Sequence, residues 1–147
     1  MKKEFVKYEQ AIALKELGFD EPCFGWFRST LIPSNFTEFF LETEFGMNES
    51  PSDWVNSNFL DKACSAPLYQ QAFRWFREKY NIQGYIYSST VRGNTEKTKQ
   101  FTGYIWNING IDTPFLSTDA RDELHDTYEE AESACLDKLI EIVRERL

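Results

Sequence analysis

Two runs, "YIYSSTV" (85–91) and "FTGYIWNI" (101–108), are dense in β-branched and aromatic residues and flank the polar stretch "RGNTEKTKQ". Such side chains pack well on a pleated surface, and a polar connection between them predicts a hairpin. No other feature limits the fold as much, because a hairpin commits the chain to an antiparallel sheet. Alternation sets Tyr85 and Tyr87 against Ile86, and Phe101 and Ile105 against Tyr104 and Trp106. Apolar residues on both faces require two covered faces, or one that offers its aromatics to a partner. The same aromatic face is a surface through which copies of the chain can associate.

The helices around this hairpin follow from spacing. Residues 8–17 place Ala11, Ile12, Leu14 and Leu17 on one stripe with Lys15 and Glu16 opposite, and Gly18 follows where a left-handed cap wants glycine. Residues 67–80 carry a second stripe of Leu68, Ala72, Phe73, Phe76 and Tyr80, with Ser65 as expected N-cap and Pro67 in the first turn. A third helix over 127–145 opens on Thr127 and Glu130, spaced as a capping box. Asp20, Glu21 and Pro22 turn the chain before a strand at 23–28, "CFGWFR", whose alternation groups Cys23 with Gly25 and Phe27.

Residues 33–64 predict a long irregular connection. Within it "SNFTEFFLETEF" fits either a helix capped by Ser34 or Asn35, or a second strand. Its aromatics, Phe36, Phe39, Phe40 and Trp54, are expected to tack it to the core. "TPFLST" (113–118) also has the composition of a strand. The expected fold is α+β in a single domain, with a small, mainly antiparallel sheet of three to four strands packed against about three helices.

Charge separates the function classes. The chain has net charge −8, yet residues 65–110 carry 6 basic and 2 acidic side chains. An acidic total opposes general nucleic-acid binding, where counterion release rewards Lys and Arg, while the basic centre keeps a local patch available. Candidate binding residues are therefore Arg74, Arg77, Arg92, Lys97, Lys99, Tyr104 and Trp106, cations beside aromatics on a sheet, the arrangement that holds single strands by stacking and phosphate contact. The acidic stretch 112–137 offers the opposite, a phosphate-like surface for a basic site on a host protein.

No catalytic residues, cofactor or metal ligands emerge. The cysteines at 23, 64 and 135 and the one histidine, His125, lack the close-spaced pairs of zinc sites, and no phosphate-binding glycine motif occurs. Cys23 has Asp20 and Glu21 beside it, which disfavour a thiolate, and Cys135 falls on a core stripe. Cys64 precedes an expected helix start, where the dipole lowers a thiol pKa, so it is the expected most reactive thiol. "MKKEFVKYEQ" turns polar at once, which predicts neither signal peptide nor membrane span and a cytoplasmic chain with reduced thiols.

The phrases "LKELGFDEPCFGWF", "APLYQQAFRWFREKY" and "TYEEAESACLDKLIEIV" resemble short uncharacterised proteins of phages and mobile elements of gut Bacteroidota. The resemblance covers about a third of the chain and lends no catalytic residues. It implies a bacterial host cell, and the expected function is that of a non-enzymatic phage or mobile-element accessory protein acting through protein or nucleic-acid contacts. A host protein is the first expected partner and single-stranded nucleic acid the second. The rival expectation is a small enzyme with an unrecognised active site and the 33–64 connection as its lid.

Overall fold

A computed structural model describes residues 2–30, 36–41, 55–59, 63–91, 101–110, 113–117 and 124–147. The fold is α+β, with three α-helices and two antiparallel sheets of three strands among the described residues. Internal contacts divide the chain into two compact units, Met1–Ala72 and Phe73–Leu147. The expected strands are thus shared between two sheets instead of gathered in one. The second sheet is assembled from strands that follow one another closely in sequence, which pairs them at low loop-closure cost, whereas in the first Trp26 pairs with the distant Ser65.

In the first unit, helix α1 (Tyr8–Glu16) ends at Leu17, and Gly18 adopts φ 85°, the left-handed conformation that glycine enters without strain. Strand β1 (Gly25–Thr30) pairs antiparallel with β2 (Phe36–Leu41) and with the two-residue β3 (Cys64–Ser65). The segment read as helix or strand is therefore a strand. Cross-strand ring pairs decide it: Trp26 stacks on its register partner Phe40 at 4.5 Å, and Phe27 meets Phe39 at 5.2 Å. Cys23 lies just before β1 instead of within it. Its grouping with Gly25 and Phe27 holds, since all three are buried while Phe24 is 53% exposed.

Within the 33–64 stretch the described residues also include a 3-10 turn at Asn56–Asn58. Buried Asn56 holds this turn in place: its Nδ2 donates to Phe19 O at 2.7 Å, and its Oδ1 accepts from Ser65 N at 2.9 Å. Lys15, assigned by spacing to the outer side of α1, instead donates from Nζ to Phe59 O and Ala63 O at 2.9 and 2.8 Å. Trp54 lies outside the described residues.

Helix α2 (Tyr69–Tyr80) contains the boundary between the units. Ser65 does not cap it, because β3 has claimed that residue. Gln71 supplies the start instead, its Oε1 accepting from Leu68 N at 3.1 Å.

In the second unit, β4 (Ile82–Val91), β5 (Phe101–Gly110) and β6 (Thr113–Ser117) form a sheet in the order β4-β5-β6. The hairpin is in register along its whole length, from Ile82 opposite Gly110 to Val91 opposite Phe101. Helix α3 (Tyr128–Arg144) begins with the expected capping box between Thr127 and Glu130. It packs on the face to which Gly84 belongs. A Cβ on Gly84 would lie 2.6 Å from Cys135 Sγ and 2.7 Å from Phe73 Cε1, so glycine is needed for the approach.

Two substitutions measure these constraints. Gly84→Ala is expected to lower stability by about 1–3 kcal/mol through overpacking. Asn56→Ala, which strands a buried carbonyl and a buried amide, is expected to cost about 1–3 kcal/mol. Urea unfolding followed by tryptophan fluorescence reads both, and an unchanged midpoint contradicts the corresponding contact.

Candidate functional site

The pleat of β4 and β5 determines which side chains remain outside the core. Gly84 faces α3, so Gln83, Tyr85 and Tyr87 face away from it, opposite Asn109, Asn107 and Ile105. Tyr85 is 45% and Tyr87 42% exposed, although both rings stand on a ten-residue strand of a packed sheet. They are two residues apart on one face, which separates them by about 6.6 Å.

Beside Tyr85 an open groove of about 260 Å³ is lined by Arg77, Asn81, Gln83, Tyr85, Asn109 and Gly110. Arg77 reaches it from the last turn of α2, a position that also suits a cation at a helix C-terminus. Asn81 has φ 56°, in the left-handed region that asparagine tolerates, and this single residue turns the chain from α2 into β4. The groove therefore gathers one guanidinium, three carboxamides and a phenol. Carboxamides both donate and accept, and guanidinium only donates, so the set suits a planar, hydrogen-bonding ligand that carries negative charge.

Of the seven residues proposed from sequence, Arg77 lines this groove and Arg74 is exposed one turn earlier on α2. Tyr104 and Trp106 fall on the opposite face of the sheet. Trp106 is only 8% exposed, and half-buried Tyr104 meets Tyr128 edge-on at 5.9 Å. Arg92, Lys97 and Lys99 lie outside the described residues. The structure thus brings Arg77 together with Tyr85, but not with Trp106. Asn81, Gln83 and Asn109 were missed, because polar amides at strand ends read as turn chemistry in sequence.

The thiols are inert by position. Cys64 is fully buried in β3 rather than at a helix start, and burial pushes its thiol up to about 12 despite the opposing Lys15 ammonium. Burial likewise raises Cys23, opposed by the nearby Ser65 hydroxyl and with Glu21 adding to it, and raises Cys135, with Glu132 adding; both reach about 12. His125 is engaged through its backbone, exchanging hydrogen bonds of 2.8 and 2.9 Å with Tyr104, and its Nε2 has no partner among the described residues. None of these four lines the groove.

Among the described residues no His, Cys, Asp and Glu side chains cluster to hold a metal ion, and no helix is long and apolar enough to cross a membrane. No family model, curated protein or solved structure matches the chain.

The raised thiols predict a pH dependence. With folded values near 12 against an ordinary 9.0, the unfolded chain loses its thiol protons first, so stability falls as pH rises from 9.0 toward 12. Unfolding midpoints across that range should decline less steeply in a Cys23→Ala, Cys64→Ala, Cys135→Ala chain. In the folded wild type at neutral pH, a thiol reagent should label all three slowly.

Proposed function

We propose that this chain is a non-enzymatic binding module that holds single-stranded nucleic acid on the face of the second sheet turned away from α3. The observation that carries the reading is the exposed pair Tyr85 and Tyr87, two residues apart on one strand face, beside the Arg77 groove. Two phenol rings at that spacing offer stacking platforms for successive bases, which single-strand binders use without strong sequence preference. Arg77 supplies a phosphate contact, and the carboxamides of Gln83, Asn81 and Asn109 suit the donor and acceptor edges of unpaired bases.

The net charge of −8 does not oppose this placement. The described acids of the 112–137 stretch include exposed Asp126, Glu129 and Glu130 at the start of α3, which covers the other face of the sheet. The lining of the groove, a guanidinium, carboxamides and a phenol, suits the holding of a ligand. The phage or mobile-element setting implied by the sequence resemblance is one in which single strands are common during replication and transfer.

Fluorescence anisotropy with a labelled single strand of about eight nucleotides tests the reading, within the usual site size of such folds. Binding is expected at low salt and weakens as salt rises. Tyr85→Ala and Tyr87→Ala should each lose about tenfold in affinity. Arg77→Gln should reduce the salt slope by about 0.7. No binding at low salt, or full binding by the double tyrosine variant, overturns the assignment; capture of a host protein through the same tyrosines would replace the ligand.

A further inference from the structure

Strand β4 is an edge strand, paired only with β5 among the described residues. The hydrogen bonds of β5 reveal which of its backbone groups are used. Tyr104 donates its N–H to His125 O and its C=O accepts from His125 N, on the side of β5 away from β4. Neighbouring residues in a strand point their backbone groups to opposite sides, so Ile105 and Asn107 bond toward β4, to Tyr87 and Tyr85. The N–H and C=O groups of Ile86, Ser88 and Thr90 then point outward from the sheet, with no strand beside them among the described residues.

Edges of this length are normally guarded. Proteins place lysine, proline or a bulge on them, since an open row of donors and acceptors templates further pairing. "IQGYIYSSTV", the whole of β4, contains no charged residue and no proline, and its pairing to β5 is free of register shifts. A ten-residue, uncharged, regular strand is therefore built for a strand partner.

We propose that the outer edge of β4 pairs antiparallel with the same edge of a second copy of this chain, joining two three-stranded sheets into one of six strands. The pairing is self-complementary: with the two-fold axis at Ser88, Ile86 of each copy meets Thr90 of the other and Ser88 meets Ser88, all outward-facing residues. Charge selects this direction. The chain that follows Val91 carries Arg92, Lys97 and Lys99. Antiparallel pairing sends the two Val91 ends to opposite ends of the joined sheet, whereas parallel pairing would set like charges side by side. The proposal does not depend on nucleic-acid binding.

Light scattering of the whole chain across a concentration range, paired with amide hydrogen exchange, tests it. The expected result is twice the chain mass at high concentration, with the amides of Ile86, Ser88 and Thr90 protected and then released on dilution. The amides of Tyr85 and Tyr87 should stay protected throughout. Ser88→Pro removes an outward amide that β5 does not use, and should give a monomer with unchanged far-UV circular dichroism. If that variant does not fold, Ser88→Lys sets two ammonium groups face to face at the axis and should raise the dimer dissociation constant several-fold. A monomer at every concentration overturns the proposal. So does a dimer in which these three amides exchange freely, or one that ignores Ser88→Lys. A monomer with the three amides protected assigns the edge to another segment of the chain and overturns it equally.

Discussion

In a pleated strand a side chain and its neighbour cannot share a face, so a helix that closes on Gly84 leaves Tyr85 on the other side. The period of two, fixed along β4 and β5 by an unbroken register, decides which way every side chain of the two strands faces. It sends Trp106 and Tyr104 toward α3, and Gln83, Tyr85 and Tyr87 away from it. It also decides which amides face the open edge. A one-residue slip of the hairpin would exchange the two faces and bury the tyrosines. The long in-register pairing, with Trp106 and Ile108 buried against the helix side, is what prevents the slip.

The first unit is held by a different device. Buried polar groups tie its described segments together. Asn56 acts as a displaced peptide group, giving a donor to Phe19 and an acceptor to Ser65, while Lys15 joins two carbonyls of the same stretch. Polar contacts of this kind fix one arrangement because each group would be costly to leave unmet in the interior. The aromatic pairs of β1 and β2 lie on both faces of the unit's sheet, Trp26 with Phe40 on one and Phe27 with Phe39 on the other, where Phe5 meets Phe39 at 4.9 Å.

Much of this was legible in the residues. Thr127 and Glu130 announced α3, Gly18 ended α1, and the alternation of "YIYSSTV" and "FTGYIWNI" located the hairpin. The misreadings share one cause, which is that tertiary partners override local signals. Ser65 looks like a helix cap until β1 pairs with it, and Lys15 looks solvated until residues 59 and 63 present their carbonyls. The site followed the same rule. Sequence grouped the hairpin aromatics correctly by face, but only the position of α3 tells which face is core. Alternation alone does not say that Trp106 is 8% exposed while Tyr85 and Tyr87 are 45% and 42%.

Gly84 has a mechanical consequence. A close approach of α3 to the sheet falls at the residue before Tyr85, and Cys135 seats there as a peg in a socket. Any sliding of the helix along the sheet must lift that peg, and the lift would be transmitted through the adjoining backbone to the tyrosine on the far side. At this residue the core contact of Cys135 and the exposed ring of Tyr85 hang on adjoining positions of one strand, so a change in one bears on the backbone that carries the other.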